Sequence, residues 1–234
     1  MQVAILAGGL ATRLRPMTDS IPKSMIEIGG KPFIEYQLDI LRKQRVTNVV
    51  LCLGYLGDQI EHHVGDGRKF GIKVKYSYEG EQLFGTAGAL KNAEHLLNDQ
   101  FFVMYGDSYL FLDFSAVLSY FRQFNKLGLM VVYKNNDQFD KSNVVLEDNL
   151  VKVYDKKRKT DGMHYIDYGA MLLRKEVLDL IPYNQAYALE DMLVPIVEQG
   201  ELLAYEVQER FYEIGSPNGI NEFKKYVKEI KIKP

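Results

Sequence analysis

Several features that would narrow a protein's role at once are scarce in this chain. It holds a single cysteine, Cys52, so no disulfide can form within it. A reducing compartment suits such a chain, and Cys52, inside the run VVLCL, reads as a small core residue. Charge of one sign is also lacking: 29 basic and 31 acidic residues leave a net charge of -2. Nothing draws the whole molecule to nucleic acid or to an anionic membrane, so any phosphate binding has to be local. No apolar run approaches the roughly 20 residues that cross a bilayer. The opening MQVAIL carries no basic leader, and the expectation is a soluble, cytoplasmic protein. Repeats, low-complexity stretches and an interdomain linker are absent from the sequence.

The familiar short motifs are missing too. There is no G-x-x-x-x-G-K-[ST], no G-x-G-x-x-G, no G-x-S-x-G and no H-E-x-x-H,. His62 and His63 are adjacent and would face different directions on a helix; His95 and His164 have no cysteine or carboxylate at ligand spacing,. The 16 tyrosines are dispersed, unlike a stacking platform for single strands,.

What is present is an ordinary core-forming composition, 47% apolar and 26% charged over 234 residues, enough for one large domain. Residues 3–7 form a continuous apolar run ending in glycines, as a strand buried on both faces would. Residues 32–45 have helical spacing at Ile34, Leu38 and Leu41, with Pro32 to open the helix,. Further strands are expected over 46–53, 72–79 and 101–105, with helices over 57–64 and 86–97. Strands separated by single helices imply parallel crossovers and a doubly wound α/β sheet. Ligands then sit beyond the carboxyl ends of the strands, near loops 8–24, 80–88 and 106–110. In the second half, strands are expected over 127–134, 165–173 and 207–214, a hairpin over 143–155, and helices over 189–199 and after Ser216-Pro217.

Against that frame, LAGGLATRLRP at positions 6–16 joins two glycines to two arginines, and Lys23 follows in PKS. Glycines let backbone N–H groups close on an anion, and arginine adds a forked, permanent charge. The residues alone leave a phosphate loop and a plain glycine turn with solvated bases equally open. Likewise FGTAGAL, positions 84–90, could start a helix with free backbone donors or be a simple cap. Asp107, in YGD at a strand's end, is placed for a metal or a hydroxyl, or for capping a turn. Lys156 stands in a basic run, DKKRK, that would otherwise read as a solvated face.

These stretches resemble the sugar-1-phosphate nucleotidyltransferases, and the compact guanylyltransferases for heptose and mannose 1-phosphate in particular. The opening is similar to that family's G-G-x-G-T-R-L-x-P followed by P-K, with Pro16, Thr18, Pro22, Lys23, Lys31 and Pro32 at matching places. Ala11 stands where the family usually has glycine. FGTAGAL is similar to L-G-T-A-G-A-L, with Phe84 interposed. YGD matches a G-D whose aspartate binds Mg²⁺. YEIGSP, positions 212–217, resembles x-D-I-G-T-P, where Glu213 replaces the second metal-binding aspartate and reaches one methylene further. Asp155-Lys156-Lys157 resembles E-K-P, whose lysine holds the sugar phosphate, and Tyr168-Gly169 and Leu189-Glu190-Asp191 match segments near the sugar. The resemblance runs from residue 1 to about residue 227.

The resemblance implies a Rossmann-like nucleotidyltransferase fold, doubly wound and mostly parallel, with a smaller mixed β lobe for the sugar. It implies one domain over 1–234, with 1–112 mainly for the nucleotide and 113–234 mainly for the sugar. The implied reaction joins a sugar 1-phosphate to an NTP, giving an NDP-sugar and pyrophosphate, with Mg²⁺ as cofactor. Arg13 and Lys23 would be catalytic. Leu6, Ala7, Gly8, Gly9, Thr12, Gln82, Gly85 and Thr86 would bind nucleotide, with Glu81 or Gln82 close to the base. Gly88, Lys156, Tyr168, Gly169, Glu190 and Asp191 would bind the sugar phosphate, and Asp107 and Glu213 the metal. A heptose or hexose 1-phosphate with GTP is the expected pair. Cytidylyl or uridylyl transfer to another sugar phosphate or to a non-sugar phosphate stays open, as does a non-catalytic NDP-sugar-binding regulator. No nucleic acid or membrane partner is expected, and a homo-oligomer is left open.

Overall fold

The stretch that reads as a strand buried on both faces, Gln2–Leu6 (β1), lies inside the sheet with a parallel neighbour on each side. The structure is a computed structural model that describes residues 1–80, 82–183 and 185–232, the last two by backbone alone. After β1 come two short strands, Glu27–Ile28 (β2) and Lys31–Pro32 (β3), then helix Phe33–Lys43 (α1) and strand Asn48–Leu53 (β4). Helix Gly57–Val64 (α2), strand Lys73–Tyr78 (β5) and helix Gly85–Asn92 (α3) follow. Strand Gln100–Tyr105 (β6), strand Ser108–Tyr109 (β7) and helix Phe114–Phe121 (α4) close the first half. The second half holds strands Gly128–Lys134 (β8), Val144–Glu147 (β9), Leu150–Tyr154 (β10) and Tyr165–Arg174 (β11). Helix Leu189–Glu198 (α5), strands Leu202–Val207 (β12) and Tyr212–Glu213 (β13), and helix Pro217–Ile232 (α6) complete the chain.

Among the described residues nine strands form one sheet in the order β5-β4-β1-β6-β11-β8-β12-β10-β9. The first four are mutually parallel, β11 runs antiparallel to β6 and β8, and β12 runs parallel to β8. The second half therefore continues the same sheet and makes it mixed. Side chains alternate across β1, so Val3 and Ile5 enter one apolar cluster and Ala4 the other,. The Val3 face packs under α1, α2 and α4 through Leu38, Ile60 and Val117; the Ala4 face packs under α3 and α5 through Leu90 and Leu193. Helices on both faces make the sheet doubly wound, as the alternation of elements implies. The chain leaves β1 toward β4 and β5, then returns to β1's other side as β6. That reversal opens a crevice at the carboxyl ends of β1 and β6.

Several elements differ from the sequence reading. The strand expected over 207–214 is two: β12 ends at Val207, and the polar stretch 208–210 takes the chain out of the sheet to pair Tyr212 and Glu213 with Tyr109 and Ser108. The helix expected over 86–97 breaks after Asn92 into the tighter turn Glu94–Leu96. Helix α4 was not expected. Its start is written in the sequence nonetheless, since the Asp113 carboxylate accepts the N–H groups of Ser115 and Ala116,.

A third, smaller cluster ties the ends of the chain together. Leu14, Ile28, Phe33, Ile214 and Phe223 are buried in it, and the rings of Phe33 and Phe223 meet edge to face at 5.2 Å,. It docks α6 against the loop after β1 and so holds β13 in place. Phe223→Ala is expected to lower stability by about 3–5 kcal/mol in urea unfolding; a loss under about 1 kcal/mol would show that α6 is not anchored here.

Candidate active site

The loop after β1 is built to keep its backbone open at the crevice. Ala11 takes the left-handed conformation, φ 48° and ψ 42°, which glycine adopts without cost and alanine does not. The buried Thr18 hydroxyl donates to Ala11 O at 3.0 Å, and Leu14 sinks into the third cluster. Arg13, between those anchors, stays exposed.

Asp107 follows β6, where Gly106 packs so closely on β1 that an added Cβ would lie 2.6 Å from Leu6 O. The Gly106 N–H donates to Leu6 O at 2.9 Å, and the Asp107 carbonyl accepts the Ile214 N–H at 2.9 Å. The β7–β13 ladder thereby brings Glu213 to Asp107 across a sequence gap of more than a hundred residues,. Gly215 sits in the cradle between them. A Cβ built there would lie 2.8 Å from Asp107 Oδ2, 2.8 Å from Glu213 Oε2 and 3.1 Å from an Arg13 guanidinium nitrogen. Lys23 Nζ is 2.6 Å from Asp107 Oδ2. The side chains of residues 13, 23, 107 and 213 thus meet on one spot.

A second charged group stands beside it. Lys156 Nζ is 3.1 Å from Asp167 Oδ2 and 3.0 Å from the Tyr105 hydroxyl, and lies over the Tyr105 ring. Asp167 is shut away from water, its side chain 1% exposed, and a buried carboxylate needs partners. It has them: the Tyr154 and Tyr105 hydroxyls donate to Oδ2 at 2.9 and 3.1 Å, and the Gly169 N–H donates to Oδ1 at 2.9 Å. Burial works against the Lys156 ammonium, but the Asp167 charge and then the Tyr105 hydroxyl outweigh it and hold the lysine above its ordinary pKa,. Burial and the same carboxylate raise Tyr105 and Tyr154 as well.

Two cavities share Tyr105, Asp107 and Lys156 in their walls. The first, about 370 Å³, is lined by Leu6, Ala7, Gly8, Gly9, Lys23, Gly85 and Thr86 among others. Glu79 closes part of it and was not singled out from the sequence. It is 8% exposed, its Oε2 accepts the Phe84 N–H at 2.8 Å, and burial raises its pKa against that hydrogen bond. Cys52 also borders this cavity, its thiol pushed up to about 12 by burial and by Glu79. The second cavity, about 530 Å³, is lined by Arg13, Tyr168, Gly169, Glu213, Asn143 and Arg210 among others.

Not every expected residue reaches these walls. Thr12 and Gln82 are exposed and border neither cavity. Gly88 lies one turn along α3 from Gly85 and borders neither cavity; an added Cβ would lie 2.6 Å from Phe84 Cβ and 3.0 Å from Gln185 O. Glu190 and Asp191 open α5, which docks on α3 where the Leu189 N–H donates to Thr86 Oγ1 at 2.7 Å, and neither borders either of these two cavities. Glu81 lies outside the described residues. Asp167 was missed, although an acid inside the apolar strand YIDYGAMLL signals a buried partner,.

Residues 2–229 match the model of the nucleotidyl transferase family. The chain belongs to that family. It is 30% identical to a D-glycero-alpha-D-manno-heptose 1-phosphate guanylyltransferase from Campylobacter jejuni, over 95% of this chain and 98% of the relative. It is 31% identical to a mannose-1-phosphate guanyltransferase from Saccharomyces cerevisiae, over 93% of this chain but only 62% of that longer protein. HddC from Yersinia pseudotuberculosis, solved with GMP-PN, superposes with a TM-score of 0.81 at 29% identity over 97% of this chain and 99% of HddC. A Bacillus anthracis structure in complex with a sucrose shares the fold at a TM-score of 0.86 and 21% identity.

Asp167 holds Lys156 as a permanent cation where the two cavities join. Asp167→Asn is expected to bring the Lys156 pKa down, read by NMR titration of labelled lysine; an unmoved titration would detach Asp167 from that role.

Proposed function

We propose that this nucleotidyl transferase joins a sugar 1-phosphate to GTP, releasing pyrophosphate and a GDP-sugar, with a heptose or hexose as the sugar. The observation that carries the reading is the meeting of Lys23, Arg13, Asp107 and Glu213 around Gly215, beside Lys156 at the junction of two cavities. A sugar-phosphate oxygen attacks the α-phosphorus, the bond to the β-phosphate oxygen breaks, and pyrophosphate leaves with that electron pair. The nucleophile is already anionic, so no base has to remove a proton. The difficulty is to bring anions together, and catalysis is positioning and charge compensation.

In this reading the Gly8 and Gly9 backbone and Arg13 hold the β- and γ-phosphates. Lys23 compensates charge at the α-phosphate and, before substrate enters, is itself compensated by Asp107. Lys156 seats the incoming sugar phosphate. Asp107 and Glu213 are the pair that would hold Mg²⁺. Among the described residues no three His, Cys, Asp or Glu side chains form a complete metal site. Two carboxylates opening on a glycine-sized gap suit an ion that takes its other oxygens from phosphates and water. Glu213 fits the place of an aspartate because its extra methylene is taken up locally, its two oxygens accepting the Gly215 N–H and, at 2.6 Å, the Ser216 hydroxyl. When bound, the ion supplies Lewis-acid neutralisation of phosphate charge.

Guanine is favoured by Glu79. Its Oε1 lies close to Gly8 on the first cavity's wall, and no cation pairs with it among the described residues. Guanine offers two adjacent donors, N1–H and the 2-amino group, to a carboxylate. Adenine and cytosine place a ring acceptor beside their single amino donor, and uracil flanks its one N–H with two carbonyls, which a carboxylate repels. Both guanylyltransferases compared above are named for the same base.

Pyrophosphate release from four NTPs against a panel of sugar 1-phosphates with Mg²⁺ is expected to show turnover with GTP and a heptose or hexose 1-phosphate. Silence across the panel with nucleotide binding intact would make the protein a sensor. Glu79→Gln is expected to cost GTP preference on the order of tenfold to a hundredfold, the worth of a hydrogen bond to a charged group. It is also expected to stabilise the free protein. A carboxylate whose folded pKa is raised loses stability as pH climbs from the ordinary carboxylate range through the raised value,. The glutamine variant is therefore the more stable above that window and equal to the parent below it. A variant with unchanged base preference would remove Glu79 from the base site.

A further inference from the structure

Gln37 lies on α1, is fully buried, and lines neither cavity. Its Nε2 donates to two backbone carbonyls, Tyr105 O at 3.0 Å and Ser108 O at 2.8 Å. Those two carbonyls stand on either side of Gly106 and Asp107. Its own Oε1 is buried and accepts no hydrogen bond among the described residues. A buried oxygen without a donor is costly, and the amide bears that cost while its nitrogen serves two backbone carbonyls that an apolar side chain would leave without a donor,. The amide's use lies in what it grips.

We propose that Gln37 is a positioning residue for nucleotidyl transfer: its amide clamps the turn that carries Asp107, and through that turn it sets where both Asp107 and Glu213 present their carboxylates. The proposal rests on the function argued above. The chemistry suits the task, since two carbonyl acceptors call for two N–H donors on one nitrogen, which a glutamine amide supplies without charge. The β1 side of the turn is already held by the Gly106 N–H on Leu6 O. The other side leads into β7, where Ser108 is in register with Glu213, and the Ile214 N–H reaches back to Asp107 O. A shift of Ser108 therefore carries Glu213 with it. One side chain on a helix outside the pocket controls two acids whose mutual spacing decides how they meet phosphate and metal, and displacements on the order of 1 Å are enough to lose much of a rate.

Two variants and two readouts test this. Gln37→Leu keeps approximate volume and removes the donor. Gln37→Glu keeps the shape and can donate only while its carboxyl is protonated. In Gln37→Leu, hydrogen exchange at the Gly106 and Ile214 amides is expected to quicken on the order of tenfold or more, while amides at the centre of β1 keep their protection. The kcat for pyrophosphate release is expected to fall on the order of tenfold or more, with the sugar-phosphate KM within about twofold. In Gln37→Glu, kcat relative to the parent protein is expected to rise as pH is lowered from about 8 to about 6, because protonation restores a donor. Unchanged exchange at residues 106 and 214, or a folded Gln37→Leu protein with kcat within about twofold of the parent, would overturn the proposal. If Gln37→Leu does not fold, Gln37→Glu carries both readouts. If the parent protein releases no pyrophosphate from any substrate, the transfer reading fails, and the exchange measurement still decides whether Gln37 clamps the turn.

Discussion

Everything at this site depends on a turn that is held from three sides. Gly106 and Asp107 are pinned to β1 by Leu6 O, to α1 by Gln37, and to β13 by the Ile214 N–H. Without that turn, the acid at 107 and the acid at 213 would have no reason to meet, since two carboxylates repel and nothing in the local sequence joins them. The fold overcomes the repulsion by surrounding them with cations and donors: Lys23 on Asp107, and the Gly215 N–H and the Ser216 hydroxyl on Glu213. Charge is balanced within the pocket, which agrees with a chain whose overall charge is close to zero and whose anion binding has to be local,.

The larger architecture serves the same end. The order β5-β4-β1-β6 puts the reversal of strand order beside β1, so the loops after β1 and β6 share one crevice,. Strands from the second half extend the sheet, and β11 lies next to β6 with Ala170 opposite Met104. That adjacency brings Asp167, and with it Lys156, alongside Tyr105. Asp167 and Lys156 meet Tyr105 because two strands from different halves of the chain are neighbours in a single sheet.

Much of this was legible in the sequence, for identifiable reasons. Buried parallel strands write themselves as unbroken apolar runs, and the glycines after β1 mark a close backbone approach, so the doubly wound sheet and its crevice could be read. Lys23, Asp107 and Lys156 could be named because their motifs resemble those of a family to which the chain belongs. Asp167, Glu79 and Gln37 escaped because their importance lies in contacts made across long separations: a polar residue in a strand or on a helix face gives no sign of which loop it will touch. Gly88, Glu190 and Asp191 lie in matching motifs, yet they border neither of the two cavities. Adjacency to a motif in sequence does not by itself bring a residue to the wall of the pocket, and the space beside Gly88 is filled by Phe84 and Gln185. The strand expected over 207–214 failed for a third reason. Alternation of residue types cannot reveal that the chain leaves one sheet and pairs with another.

The central claim is that Asp107 and Glu213 act as one unit, and a double-mutant cycle on the rate of pyrophosphate release measures it most directly. Asp107→Asn and Glu213→Gln are each expected to lower kcat on the order of a hundredfold or more, as losing an electrostatic group at a phosphoryl centre does. The double variant is expected to be no worse than the more damaged single one, because a pair that works together is lost once. Losses that multiply, each acid contributing independently of the other, would contradict the account.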